Sequence, residues 1–293
     1  MGAVIFWGLS FVATKMALAS IPPFTLIFAE FSISALFFLL LVLRKGFPRF
    51  SKKDHILLFL LSFFEPGLYF VFETLGLQYT SAPKASLIIA TTPIAVLILS
   101  TIFLKEKSSL TGLASIVISF AGIFILITGE SGFRLSWDGS IIGDLLIFGA
   151  VISAALYIVS ARNLGRKYSA LEITSMQIFY GALFYTPAFL WELPGIEWSQ
   201  ISGSSLGAVL YLTVFATIGA FFCYNFALTK VSATRASLFI NMIPVVTAIG
   251  AWIILNETLT LVQACGGLLV LLSVFIANLP GLRAKIPEHF LSK

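Results

Sequence analysis

The sequence predicts an all-α integral membrane protein whose ten transmembrane helices form two inverted five-helix repeats. Three observations predict it. The 293-residue chain is 59% hydrophobic and only 11% charged, with a mean hydropathy of +1.02. A soluble domain carries about 25% charged residues and could not clothe its surface with so few. The apolar residues fall in long runs separated by short polar breaks, and one segment of the first half recurs in register in the second. This composition excludes secreted domains, cytosolic enzymes and nucleic-acid binders, and runs of this length indicate helices, not barrel strands.

A helix needs about 20 mostly apolar residues to cross the hydrocarbon. Ten segments qualify, at residues 2–19, 24–43, 55–78, 82–104, 110–128, 141–161, 171–191, 206–228, 232–255 and 260–279. Pro22-Pro23, Arg44 to Asp54 and Lys105-Glu106-Lys107 are among the breaks, and Gly129–Ser140 and Leu193–Ser205 are the longest loops. All are too short for a soluble domain. No cleavable signal peptide is expected, because no positive region precedes the first apolar run and Lys15 interrupts it. Cys223 and Cys265 fall in apolar stretches and are expected to be small buried thiols without a disulfide.

Charge sets the expected orientation. With both termini in the cytoplasm, 15 of the 18 basic residues fall on the inner side; Lys84 and Arg134 lie outside, and Lys15 lies in the first span near its outer end. Glu130, Asp138, Glu192, Glu197 and Glu257 fall in outer loops. This asymmetry explains the net charge of +5 as a topology signal. Basic inner loops can touch anionic lipid and require no nucleic-acid partner.

The repeat pairs Ala82–Glu106 with Ala233–Glu257 at an offset of 151, with ten of 25 positions identical. Among them are Ser86/Ser237, Pro93/Pro244 and Glu106/Glu257, and Lys84 matches Arg235. Shared apolar composition does not explain a proline and a glutamate matched at one offset. Five spans per half invert the second half relative to the first, so residues 1–130 and 140–279 are expected to be related by an axis in the membrane plane, with 280–293 a cytoplasmic tail. That architecture suits alternating access around a central site. A channel, or a membrane scaffold or accessory protein, is the remaining alternative.

Residues spread along the chain also carry a resemblance. Trp7-Gly8 with Phe11 and Lys15 looks like an opening "WG…F…K" span, and Gly76–Pro93, GLQYTSAPKASLIIATTP, resembles an "AL.YTSA..ASLL….P" segment. Glu106, Gly112 and Gly122 follow, and Ala227-Leu228, Val231-Ser232-Ala233, Ala236-Ser237, Pro244 and Glu257 repeat the pattern. The whole chain resembles the drug/metabolite transporter superfamily, specifically its EamA-type ten-helix permeases. The resemblance implies export of small metabolites, often amino acids or their analogues, across the bacterial inner membrane. Sugar-phosphate and nucleotide-sugar carriers are more distant relatives. Glu65-Pro66 and Glu73 depart from the broad family pattern, so the resemblance transfers no substrate.

Charged side chains in hydrocarbon are costly and normally face water or a partner. Glu65 is the first candidate, 11 residues or about 16 Å into the third span. Pro66-Gly67 follows it, so a kink is expected to free a carbonyl beside the carboxylate. The residue reads as a ligand for a substrate amine or a protonatable coupling site, or alternatively as a structural partner within the bundle. Lys15, Glu30, Glu73, Lys84 and Asp144 fall in the outer thirds of their spans. Mixed signs there suit a zwitterion in an outward vestibule; interspan salt bridges are the alternative.

Trp7, Tyr69, Tyr79, Tyr157, Tyr180, Tyr211 and Tyr224 are candidate pocket or interface aromatics. Tyr69 shares a face with Glu65 at i+4, while Trp191 and Trp198 suit the aromatic belt at the membrane boundary. Asn225 and Asn241 are embedded amides for a cavity or an interhelical hydrogen bond. Ser86 and Ser237 suit close helix packing, Pro66, Pro93 and Pro244 suit kinks, and Glu106 and Glu257 suit pairing or capping of the following helix. No P-loop or nucleophile constellation occurs, and His55 and His289 lack companions for a metal. A small-molecule substrate and membrane lipid are the expected partners, with no catalytic residues, no cofactor and no obligatory protein partner.

Overall fold

The computed structural model describes residues 2–46, 50–103, 110–128, 139–161, 164, 167–230 and 242–277. Among these the chain is all-helical. It forms α1 (Gly2–Leu18), α2 (Pro23–Lys45), α3 (Lys52–Ser62), a π-helical turn (Phe63–Leu68) and α4 (Tyr69–Gly76). Next come α5 (Ala82–Ile89), α6 (Thr92–Phe103), α7 (Leu110–Thr128), α8 (Gly139–Ala161) and α9 (Ala170–Glu192). After two 3₁₀ turns follow α10 (Gly203–Tyr211), a second π-helical stretch (Leu212–Ala220), α11 (Phe221–Lys230), α12 (Ile243–Leu255) and α13 (Leu261–Ala277). By length and composition, five described stretches suffice to cross a membrane: Pro23–Arg44, Lys52–Gly76, Ala82–Leu99, Ser140–Ile158 and Gly203–Tyr224.

The outer surface is the solvent signature. On α2, Ile33, Leu36, Leu40 and Leu43 recur every three or four residues and are exposed, while Phe31, Ser34, Phe38 and Val42 on the opposite side are buried. Such an apolar stripe is unfavourable in water and natural against lipid tails. Cys223 and Cys265 belong to this exterior. Both are free and exposed, contrary to the buried placement expected from their apolar neighbours. In a membrane protein an apolar neighbourhood marks the lipid face as readily as the core.

Pairwise packing fixes the interior. α2 lies along α9, α4 along α8, α1 along α12 and the 203–220 segment, and α7 along α13. The rings of Phe28 and Phe189 stack at 4.2 Å between α2 and α9. Between α4 and α8 the backbones nearly touch. A Cβ on Gly76 would stand 3.0 Å from the Gly143 carbonyl oxygen and 2.8 Å from Ile147 Cδ1. Small residues permit this approach, and dispersion contacts hold it where lipid supplies no hydrophobic drive.

Two expected spans are interrupted, each beside a proline. In the fourth, α5 ends at Ile89 and α6 begins at Thr92, with Pro93 in its first turn. The hydroxyls of Thr91 and Thr92 donate to the carbonyls of Ile88 (2.6 Å) and Ile89 (2.7 Å). Side-chain hydroxyls thus satisfy groups that water would satisfy elsewhere. In the third, Glu65 departs from helical geometry (φ −143°, ψ 112°) immediately before Pro66.

Candidate functional site

The interruption at Glu65 builds the site. Pro66 has no N–H and removes the helix ladder around it. The exposed carbonyls are taken up by α9. Tyr185 directs its hydroxyl at the Pro66 and Gly67 carbonyls (2.9 and 2.5 Å), and Gln177 Nε2 lies 3.4 Å from the Glu65 carbonyl. Gln177 and Tyr185 are eight residues apart, about two turns, and so share a face. Sequence reasoning passed over both. Their signal was a buried amide and a buried phenol at that spacing, opposite a proline that leaves carbonyls needing donors.

The Glu65 side chain is half-buried, and it lies within electrostatic range of Tyr69, Tyr157 and Tyr224. Gln177 also lies near Tyr157 on α8. Trp7 on α1 packs against Tyr224 at 5.2 Å and edge-on against Phe221 at 5.5 Å. Trp7, Tyr69 and Tyr224 are only partly covered although they lie together inside the bundle. One carboxylate and four aromatic side chains thus converge from four spans that are distant in sequence.

Two more carboxylates adjoin. Glu73, on the same interrupted span two turns beyond Glu65, is 5% exposed and within electrostatic range of both Glu65 and Glu30. Glu30 is 3% exposed and accepts a hydrogen bond from Thr217 in the second π-helical stretch. Among the described residues, none of the three has a basic partner.

The basic residues of the expected mixed-sign vestibule are engaged elsewhere. Lys84 on α5 and Asp144 on α8 form a buried ion pair at 2.8 Å, with side-chain exposures of 2% and 0%. Thr80 Oγ1 donates to Asp144 (2.7 Å) and Lys84 to Ser140 Oγ (3.1 Å). This is the salt-bridge alternative for the two residues, sealed in the α4–α5–α8 interface and not facing open space. Lys15 on α1 donates to Glu257 (2.5 Å) and to the Thr80 carbonyl (2.9 Å).

Glu257 is held in place by the helix end before it. Asn256 is left-handed (φ 55°) and ends α12, and the Glu257 N–H donates to the Ala251 carbonyl at 3.2 Å. Its second carboxylate oxygen accepts the Ala82 N–H at 2.8 Å. Glu257 therefore caps α5, far away in sequence, and not the following helix as its position suggested. Glu192 repeats the device. It accepts the N–H groups of Phe24 (3.2 Å) and Thr25 (2.7 Å) and the Thr25 hydroxyl (2.8 Å) at the start of α2. A carboxylate at a helix N-terminus satisfies orphan donors and complements the helix dipole. At another part of the bundle, Asp54 on α3 accepts from Ser51 (2.8 Å), Tyr168 (2.7 Å) and Lys167 (3.2 Å). That bond holds the Tyr168 phenol above its ordinary pKa.

The remaining candidates are dispersed. Tyr79 is 51% exposed in the turn after α4, Tyr211 donates to the Phe6 carbonyl (3.1 Å), and Tyr180 packs on Phe59 and Phe184. Trp191 and Trp198 are exposed. Ser86 is fully buried and donates to the Pro83 carbonyl (2.8 Å). Pro244 stands in the first turn of α12. Asn241, Ser237, Glu106 and the side chain of Asn225 lie outside the described residues.

The sequence matches the model of a family described as the EamA-like transporter family over residues 1–128 and 141–279. An uncharacterized transporter of Archaeoglobus fulgidus is 32% identical over 274 residues, covering 93% of this chain and 95% of that protein. The uncharacterized transporter YetK of Bacillus subtilis is 30% identical over 271 residues, covering 92% of this chain and 82% of that protein. A solved structure described only as a crystal structure of a protein superposes with a TM-score of 0.66 at 17% identity, covering 94% of this chain and 93% of that one. The last likeness concerns the fold alone.

Proposed function

Because the chain belongs to the EamA-like transporter family, and is thus a multi-pass membrane transporter and not an enzyme, we propose that it exports amino acids or related small metabolites by alternating access. In this reading residues 1–130 and 140–279 are the two inverted halves, and the two stretches of the family match support that division. The chain sits in a bacterial inner membrane with both termini and the 280–293 tail in the cytoplasm, as the positive-inside charge pattern favours.

The observation that carries the proposal is the Glu65 carboxylate at an interrupted membrane helix, among Trp7, Tyr69, Tyr157 and Tyr224 from other elements. Broken helices at depth let backbone and side-chain polar groups meet a substrate where continuous helices cannot. Glu65 would take the substrate amine or the coupling proton, and the aromatic rings would flank the remainder. Lys15 and Glu257 would be a closure at the outer end, made and broken as the halves rock.

Purified full-length protein in liposomes loaded with amino acids tests this. Saturable uptake of labelled substrate, accelerated by unlabelled substrate on the opposite side, identifies a carrier. Linear flux without counterflow would indicate a channel, and absence of flux across a broad panel would overturn the amino-acid reading.

A further inference from the structure

We infer that the site around Glu65 takes its substrate as a net cation, recognised by an ammonium or guanidinium group with no counter-charge for a carboxylate. The inference rests on the transport reading and narrows its substrate from zwitterionic amino acids to their cationic relatives, amines and guanidines. A zwitterion is held best where each of its charges meets a partner, and among the described residues the basic side chains of these spans are already engaged. Lys84 is locked to Asp144 inside a helix interface, and Lys15 is held by Glu257 and the Thr80 carbonyl. What remains beside the aromatic residues is acidic: Glu65, with Glu73 and Glu30 behind it, none having a basic partner among the described residues.

A second observation points to a donor-bearing ligand. Gln177 is 1% exposed, and its Oε1 has no hydrogen-bond partner among the described residues. Its Nε2 is turned to the Glu65 carbonyl, so the unpartnered acceptor belongs to a side chain that touches the break at Glu65. A buried acceptor without a donor is costly, and an ammonium N–H satisfies it. The faces of Trp7, Tyr69, Tyr157 and Tyr224 add quadrupoles that attract cations. A substrate carboxylate would lose its hydration here and meet like charge, which is discrimination by repulsion.

Matched ligands separate the charge types. Tyramine, tyrosine and 4-hydroxyphenylpropanoate share a ring and differ in charge, as do cadaverine, 5-aminopentanoate and glutarate on a five-carbon chain. Equilibrium binding of each labelled compound to the purified full chain in lipid nanodiscs at neutral pH gives their order. The cation of at least one series should bind about tenfold or more tighter than its zwitterion, with no binding of the anion. Glu65→Gln and Glu73→Gln, each checked for an unchanged gel-filtration profile, should narrow that gap. A zwitterion binding as tightly as its cation, or binding by neither cation, overturns the assignment. If neutral amino acids nevertheless show counterflow, transport stands and only the charge class fails; if nothing binds and nothing is transported, both fail.

Discussion

The ammonium of Lys15 lies 2.5 Å from a carboxylate oxygen of Glu257, 242 residues away, while the other oxygen of that carboxylate accepts the Ala82 N–H at 2.8 Å. One glutamate at the end of α12 therefore ties the first helix to the N-terminus of α5. Both side chains of the pair are about one-fifth to one-quarter exposed, so the attraction is partly screened.

An ion pair of this kind should be cheap to break and, as the proposed outer closure, consequential for function. Glu257→Gln is expected to lower stability by only about 1 kcal/mol, the scale of a screened ion pair and a helix cap, yet to change transport. Thermal unfolding in detergent and counterflow in liposomes measure the two effects. Exchanging the charges, Lys15→Glu with Glu257→Lys, should recover little, because a lysine cannot accept the Ala82 N–H.

The buried pair Lys84–Asp144 should behave in the opposite way. Removing one partner, as in Asp144→Leu, leaves a charge sealed in the α4–α5–α8 interface and is expected to destabilise by about 3–5 kcal/mol. Lys84→Met combined with Asp144→Leu removes both charges and should recover most of that loss. Unfolding of the two single variants and the double variant gives the coupling directly.

Tyr185 is expected to matter through its hydroxyl alone. Tyr185→Phe keeps the ring contact with Phe31 but leaves the Pro66 and Gly67 carbonyls short of a donor. The expected cost is about 1–3 kcal/mol, with faster hydrogen exchange confined to the segment around Glu65. Exchange mass spectrometry checks the location and unfolding checks the size.

The close approach of α4 and α8 predicts a steric effect. Gly76→Val would drive a side chain into Ile147 and the Gly143 carbonyl, and should destabilise by about 1–3 kcal/mol. Gly203, with open space around it, is the matched control for unfolding of a glycine substitution.

Hydropathy made the helices legible, because a lipid-spanning helix must satisfy its backbone internally and therefore carries a long apolar run. The break at Glu65 was legible for the same kind of reason: a proline after a buried acid has a local consequence. What the sequence hid were partners. Glu257 suited pairing or a cap for the helix after it; it does pair, with Lys15, and its acceptor role at Ala82 depends on how α12 meets α5. Lys84 and Asp144 could have been wall residues or an interspan salt bridge, and only the adjacency of their helices decides for the bridge. Gln177 and Tyr185 had no distinguishing feature until the carbonyls they serve were located. Side-chain pairing across many residues follows from helix packing, and periodicity within one helix does not reveal it.

Counterflow by Glu65→Gln protein in liposomes across a range of pH is the decisive measurement of whether Glu65 handles the transported charge. The native chain should show saturable, pH-dependent counterflow. The variant should lose about tenfold or more, with a flattened pH dependence, because the neutral amide can neither pair a cation nor take up a proton. Unchanged transport with unchanged pH dependence in Glu65→Gln would contradict that role.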